Sequence, residues 1–334
     1  MLESTSARQF RDNLLPAIAK ATSICLTTHI NPDGDGLCAC LAVKRILQNL
    51  GYKADIVVDD LQLDRYEFMQ VYDNVILYSP EQKYDLVIVI DLHDTQRLGD
   101  RHHLVQKAQA VCVLDHHEIE NDMMDCAFAW VQSSAVCTGW MVFELFKAEI
   151  STLSAEDKVY VGTCLYTTLL NDTNNFTNAN TDSHAFALAQ ACCDYGVKTF
   201  QIYRKYMISR SPVEMRLIGQ VLSTIKYYEQ DSILFMHSTL AMLNENNLDT
   251  DATSNMTRWV QDLKGVQTIC YFREEETNQY RLSLRSKAIN VHSIAIKYGG
   301  GGHIQASGCN CKGTLAEVEA LILAEIAKAE KLAH

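Results

Sequence analysis

The sequence predicts an α/β protein of two domains: a mostly parallel sheet flanked by helices, followed by a smaller α/β domain built on a mixed sheet. Three observations carry that expectation. Through the first half, short β-branched runs alternate with amphipathic segments, the signature of β-α-β units. Beyond residue 228 strand-like alternation returns with helices between, as in an antiparallel or mixed sheet. Between the two lies a stretch rich in Tyr, Arg, Lys and Met, interrupted at Ser211-Pro212, where proline disfavours helix in the preceding residue. The expected division is a first domain over 1–195, a helical linker over 196–228 and a second domain over 229–334, in keeping with 334 residues and about 150 residues per domain.

Taken in order, strands are expected at 23–30, 54–58, 85–90 and 111–114, because each is a short run rich in apolar and β-branched residues. Helices at 36–50, 61–72 and 95–107 connect them. From residue 133 the pattern turns helical, with apolar residues three and four apart over 138–148, 155–170 and 182–194, a layer closing the first domain. In the second domain the strands are 232–238, 267–274 and 279–286, with helices at 251–264, 291–298 and 315–331. Alternation over 279–286 puts Arg281, Ser283, Arg285 and Lys287 on one face and Leu282 and Leu284 on the other.

Hydrophobic residues make up 48% of the chain and only 4 Pro and 15 Gly are present, so neither extended disorder nor a collagen-like repeat fits. The formal charge of -12 argues against long DNA or RNA as a partner, because that affinity comes from Lys and Arg displacing counterions. A small anionic substrate stays open, since a metal ion can supply positive charge locally. The 12 cysteines are scattered without C-x-x-C spacing and read as reduced, buried small hydrophobes. No stretch approaches the roughly 20 apolar residues of a bilayer span, and the N-terminus lacks the order of a secretory signal. A cytoplasmic location with no membrane partner is expected.

The most informative segment is His29-Ile30-Asn31-Pro32-Asp33-Gly34-Asp35-Gly36, after the first strand and before a helix. Ligands of open α/β sheets sit outside the carboxyl ends of the strands, and an imidazole with two carboxylates suits Mn²⁺ or Mg²⁺. Asp35 as a helix cap is the plainer alternative. Two more strands end in the same chemistry, one in Asp91 and one in Asp115-His116-His117. Carboxylates around one crevice repel one another unless cations lie between them. Asp172, at the polar end of an apolar helix, is either a turn residue or a further contributor. Together these residues offer enough ligands for two divalent ions sharing a carboxylate. His93 and Asp94 fit a surface loop at least as well as a site.

In order along the chain, HINPDGDG, VIVIDLHDTQRLGD, VLDHH, NDTNNFTNANT and GGGGHIQASG resemble the motifs of the DHH-DHHA1 phosphoesterase family. The likeness covers nearly the whole chain and is strongest to stand-alone members that cleave very short RNAs, the nanoRNases, some of which also dephosphorylate adenosine 3',5'-bisphosphate. The resemblance implies an N-terminal DHH domain and a C-terminal DHHA1 domain. It implies two divalent ions, Mn²⁺ first, with Mg²⁺ or Co²⁺ as substitutes. His29, Asp33 and Asp91 would hold one, and Asp35, Asp91, His116 and Asp172 the other, with Asp91 as the bridge. Catalytic support falls to Asp115, which would orient an imidazole, and to His117, near metals or substrate. Two departures stand out: Cys38-Ala39 where Gly-Ser is common, and Asp172-Thr173-Asn174 where Asp-Thr-Gly is usual. Neither removes an implied ligand, and Asn tolerates the left-handed conformation that a glycine turn needs.

In the second domain, Gly299-Gly300-Gly301-Gly302-His303 lets backbone N–H groups approach an anion, although a flexible turn uses the same glycines. Neither G-x-G-x-x-G nor a P-loop is present, which argues against a nicotinamide oxidoreductase. Ser283-Leu284-Arg285-Ser286 matches the family's Ser-x-Arg-Ser pattern, implying that Arg285 and Ser286, with Gly301, Gly302 and His303, bind substrate phosphate. Arg281 and Lys287 fit a solvated face equally well. From 277 to 316 there is no Asp or Glu, whereas Arg281, Arg285, Lys287, Lys297 and Lys312 fall within that window, so one face should be basic. The expected activity is hydrolysis of very short 5'-phosphorylated RNAs, chiefly diribonucleotides such as pGpG or pApA, by metal-activated water in a cleft between the domains. Alternatives are an adenosine bisphosphate phosphatase, a cyclic-dinucleotide phosphodiesterase and a non-enzymatic nucleotide-binding regulator; an inorganic pyrophosphatase should present a more crowded Lys/Arg set than Arg285 and His303. A homodimer is compatible with the sequence. Tyr203, Tyr206, Tyr227, Tyr228 and Tyr298 suit either base stacking or packing.

Overall fold

The computed structural model describes residues 7–119, 123–208, 211–254 and 256–333. The chain divides into two units, Met1–Ser209 and Arg210–His334. The first unit runs α1 (Ala7–Lys20), β1 (Ile24–Thr27), α2 (Gly34–Asn49), β2 (Ala54–Val58), β3 (Val75–Leu77), β4 (Leu86–Ile90), α3 (His102–Lys107), β5 (Ala110–Asp115), β6 (Phe128–Val131), α4 (Thr138–Thr152), α5 (Ala155–Asp172), α6 (Ser183–Asp194) and α7 (Thr199–Met207).

Its six strands are all parallel, in the order β3-β2-β1-β4-β5-β6. The order reverses between β1 and β4, and such a switch point opens a crevice beyond the carboxyl ends of the strands. β4, Leu-Val-Ile-Val-Ile, is buried along its whole length, as an interior parallel strand with both faces covered must be. Its residues alternate between two cores: Leu86, Ile88 and Ile90 on one side of the sheet, Val87 and Val89 on the other. The departures from the first unit's expected elements have local causes. The helix expected over 61–72 is two 3₁₀ turns, Asp64–Met69 and Val71–Asp73, because Gln70 takes a left-handed φ of 53° between them. Likewise 95–107 begins as a 3₁₀ segment, Thr95–Arg101, with Gly99 at φ 55°, before α3.

The second unit runs α8 (Pro212–Leu222), β7 (Lys226–Tyr228), β8 (Ile233–Ser238), α9 (Leu240–Asn246), β9 (Thr268–Glu276), β10 (Gln279–Ser286), α10 (His292–Lys297), β11 (Gly301–His303), β12 (Ala306–Lys312) and α11 (Leu315–Ala333). Its sheet, β11-β12-β10-β9-β8-β7, is mixed: β8 and β9 are parallel and every other pair antiparallel. β12, Ala-Ser-Gly-Cys-Asn-Cys-Lys, lacks an apolar run, yet seven of its residues pair with β10; tertiary pairing overrides weak propensity there. The helix expected over 251–264 is two 3₁₀ turns, Thr250–Thr253 and Met256–Trp259, and residue 255 within it lies outside the described residues. The stretch 196–228 holds α7 in the first unit and α8 and β7 in the second, with residues 209–210 outside the described ones. All twelve cysteines are free, and all but Cys126 and Cys193 are buried. Among the described residues no helix is long and apolar enough to cross a membrane.

Candidate metal centre

Three strand ends and two helices converge at the switch point of the first sheet. His29 follows β1, Asp91 follows β4, and Asp115 closes β5 ahead of His116 and His117. Asp33 and Asp35 flank the start of α2, and Asp172 is the last residue of α5. Ligand atoms of His29, Asp33 and Asp91 lie within 4.8 Å of one another, as do those of Asp35, His116 and Asp172, and those of Asp91, His116 and His117. Asp91 belongs to both sides: its Oδ2 is 3.6 Å from His29 Nε2 and its Oδ1 is 3.5 Å from His116 Nε2. Its backbone is left-handed, φ 64°. That conformation is uncommon outside Gly, least costly for Asp and Asn, and concentrated at functional sites.

The imidazoles are aimed by the backbone. His29 Nδ1 lies 2.8 Å from Ile30 O, and His116 Nδ1 lies 3.3 Å from Ala135 O. A proton on each Nδ1 satisfies those carbonyls and leaves both Nε2 lone pairs facing the carboxylates, the arrangement of a metal-binding histidine. His116 Nε2 is 3.1 Å from Asp172 Oδ2 and 3.5 Å from Asp35 Oδ2. The cap of α2 is Asp33, whose Oδ1 accepts from the amides of Asp35 and Gly36; Asp35 is therefore not the cap. Instead Asp35 accepts from Thr138 N at 2.6 Å and Gly139 N at 3.1 Å, the free amides at the start of α4. Gly36 is required here, because a Cβ would fall 2.1 Å from Thr28 Oγ1 and 3.1 Å from Asp91 Oδ2.

Two supporting residues, Thr138 and Asn171, are not among those the sequence singles out. Thr138 donates its hydroxyl to Asp91 Oδ1 at 3.0 Å. Asn171 ties both sides together, donating to Asp33 Oδ2 at 3.0 Å and Asp172 Oδ1 at 2.9 Å while accepting from Tyr206 OH at 2.5 Å. Tyr206 is thus a buried support under the centre. His93 is no surface-loop residue. It is buried, and its Nδ1 bonds Asp115 Oδ2, whereas His117 Nδ1 lies 2.8 Å from Asp115 Oδ1. The available signals were adjacency, Asn171 to Asp172 and His93 to the Asp91 strand end, and a polar residue opening the helix at Thr138. Asp94 caps the 3₁₀ segment after it, accepting from Gln96 N.

Electrostatics makes this a centre short of positive charge. Burial, then the carboxylates of Asp172, Asp91 and Asp33, push the Asp35 carboxyl well above its usual range, and burial pushes Asp91 the same way. Burial opposes charge on His29, yet Asp33 and Asp91 carry its imidazole up to about 10. Against the same burial, Asp172 carries His116 to about 9. Asp172 Oδ2 is buried, with His116 Nε2 3.1 Å away. Each of these groups is asking for a cation, and oxygen and imidazole donors in this number fit divalent ions such as Mn²⁺ or Mg²⁺. The Asn174 exchange is accommodated, since its φ is 45°, and Cys38 and Ala39 are buried in α2.

In the second unit, register places the expected phosphate residues. Ala306 pairs with His303 on one side and Arg285 on the other, and Arg285 pairs in turn with Ile269. Directly opposed residues share a sheet face, so His303 and Arg285 flank a small alanine on the face that carries Arg281 and Ser283. Tyr280, Leu282 and Leu284 fill the core on the other face. Gly302, at φ 128°, admits no side chain, because a Cβ would lie 2.5 Å from Ala306 O; Gly301 faces open space. Ser286 is buried, its hydroxyl accepting from the Ala288 and Ile289 amides. The basic window is narrower than its charge count, since Lys297 pairs with Glu325 at 2.5 Å.

This combination of parallel-sheet crevice, acidic centre and glycine-rich second sheet defines a metal-dependent phosphoesterase class. The sequence matches the DHH family N-terminal domain over residues 23–169 and the DHHA1 domain over 218–331, and the chain belongs to the DHH phosphoesterases, which are hydrolases. It is 28% identical over 90% of its length to the bifunctional oligoribonuclease and PAP phosphatase NrnA of Thermus thermophilus, covering 88% of that protein. To the protein of the same name from Bacillus subtilis it is 23% identical, over 90% of this chain and 93% of the relative. An exopolyphosphatase-related protein from Bacteroides fragilis has the same fold, with a TM-score of 0.88 at 22% identity, covering 100% of this chain and 99% of that one.

Proposed function

We propose that the chain hydrolyses very short 5'-phosphorylated RNAs, chiefly linear diribonucleotides such as pGpG or pApA, to mononucleotides. The observation that carries this reading is Asp91, whose two oxygens face two separate sets of donors. His29 and Asp33 with Asp91 would hold one divalent ion, and Asp35, His116 and Asp172 with Asp91 a second, Mn²⁺ before Mg²⁺ or Co²⁺. Such ions supply Lewis-acid activation of water and neutralise charge on the attacking and leaving oxygens of an in-line displacement.

The chain's own residues do the rest. Asn171, Thr138 and the α4 amides hold the carboxylates in place before substrate arrives, which removes reorganisation from the reaction. His117 is 40% exposed at its side chain and its Nδ1 is committed to Asp115, so Nε2 is the atom it turns toward a phosphoryl oxygen. No thiol serves as nucleophile at this site: Cys38, Cys40 and Cys137 are buried, and burial pushes each thiol pKa up. Arg285 and His303, with the open backbone at Gly301 and Gly302, grip the substrate's terminal phosphate, and Ser286 shapes the turn beneath.

The names of the relatives support a second activity, removal of the 3'-phosphate from adenosine 3',5'-bisphosphate, which needs the same centre. Purified protein with Mn²⁺ is to be incubated with pGpG, pApA, adenosine bisphosphate, cyclic dinucleotides and a 24-mer RNA, and products identified by mass. Mononucleotides from the dinucleotides are expected. Rapid digestion of the 24-mer with intact dinucleotides would refute the proposal.

A further inference from the structure

The second unit contains a cavity of about 250 Å³ at the end of its sheet where β9 begins, β10 ends and β11 turns into β12. Its floor is apolar, formed by Val266, Ile269 and Ala306. Around the floor stand Arg285, Asp262, Gln261 and Gln305. Of these four side chains only Arg285 has a hydrogen-bond partner among the described residues. The Arg285 guanidinium donates only to Leu284 O, at 2.9 Å, and forms no ion pair among the described residues. Lys287 bonds the backbone oxygen of Gln261, and Ser286 N bonds that of Gln305, leaving both side-chain amides unused among the described residues. Asp262 is exposed and likewise unpaired among them.

An unpaired guanidinium, an unpaired carboxylate and free amides over an apolar floor describe a ligand with an anion, a flat apolar face and hydrogen-bonding edges. The carboxylate narrows the class. Its two oxygens accept side by side, and among the nucleobases only guanine presents two parallel donors on its pairing edge, N1–H and N2–H. Adenine sets a lone pair at N1 beside its amino group, which would face the carboxylate and be repelled. Free carboxamides can donate to guanine O6. We propose that this cavity seats a guanine base whose nucleotide phosphate is gripped by Arg285, with Asp262 accepting from N1–H and N2–H. The inference rests on the proposed role of Arg285 and deepens it by naming the base.

The test compares the full chain with Asp262→Asn and Gln305→Ala variants, both at accessible positions. Relative kcat/KM for pGpG and pApA is measured with Mn²⁺, and GMP and AMP binding is measured calorimetrically in EDTA. The wild-type protein is expected to prefer pGpG, and Asp262→Asn to cut the pGpG-to-pApA ratio about tenfold, the scale of one bidentate base contact. Gln305→Ala is expected to lower the same ratio by less. Equal turnover of the two dinucleotides by wild type, or a ratio untouched by Asp262→Asn, overturns the guanine seat. Failure to cleave either dinucleotide while GMP still binds more tightly than AMP, in an Asp262-dependent way, supports the seat and refutes the proposed hydrolysis.

Discussion

In the first unit the candidate donor atoms are aimed in advance, with His29, Asp35 and Asp91 buried: Asp35 is held by two helix amides, Asp33 by Asn171, and His29 and His116 by backbone carbonyls. In the second, Arg285 and His303 stand on a more open sheet face and are positioned by strand register around Ala306. Under the proposed function, the difference follows from what each would hold. Cations in a low-dielectric crevice need several negative donors fixed against mutual repulsion, which only a hydrogen-bonded scaffold can impose. A flexible dinucleotide needs an accessible face, where a single guanidinium is enough.

Breaking the first arrangement should cost most. Asp91→Asn keeps the shape but removes the carboxylate shared by both sides, and dinucleotide hydrolysis is expected to fall by about a thousandfold or more, the scale of losing preorganised charge stabilisation. Residual activity near wild type in an initial-rate assay would refute the bridging role. His93→Leu strands a buried Asp115 oxygen and loosens His117. A loss of about 10- to 100-fold is expected, partly restored by His93→Gln, with weakened metal binding seen by calorimetry.

The metal-free protein should also report the crowding of charge. Asp35, Asp91, His29 and His116 all retain protons to higher pH in the fold than in the unfolded chain, so their contribution is complete at low pH. For the histidines it is present below about 6.5 and lost as pH rises through about 9 and 10. The melting temperature in chelator is therefore expected to fall between about pH 6 and pH 10. Divalent metal at about a hundredfold its Kd should add about 2.7 kcal/mol; a melting temperature that rises with pH in chelator would contradict the assignment.

The second unit should respond more gently. Arg285→Lys keeps the charge and loses the fork, so KM for a 5'-phosphorylated dinucleotide is expected to rise about tenfold with little change in kcat. Smallest of all, Ser211→Ala removes the capping box of α8, in which Ser211 and Glu214 exchange hydrogen bonds. It should cost about 1 kcal/mol of stability in denaturant titration and leave turnover unchanged.

The sequence was most legible where one physical signal dominates. β4 is a continuous apolar run whose bounds differ by one residue from the expected 85–90, and β10 alternates strictly and matches 279–286. Two regions that differ from expectation carry no such signal. β12 is polar and exists through its pairing with β10, and the helix expected over 61–72 breaks because Gln70 turns left-handed, which no periodicity reveals. In the site, ionisable residues at strand ends announce themselves, whereas Thr138, Asn171 and His93 matter only through neighbours distant in the chain.

The chemistry available is written in the chain: acids and imidazoles at three strand ends, a glycine run before His303, an arginine on an alternating strand. These are local properties, set by residue type and by periods of two and 3.6. How they are used depends on contacts made in the folded chain. Asp33 rather than Asp35 caps α2, Asp91 turns one oxygen to each side, His93 lies behind Asp115, and Asp262 shares a cavity with Arg285. Those outcomes depend on which distant atoms meet, and hydrogen bonds across 22 to 138 residues of chain are settled by the packed fold alone.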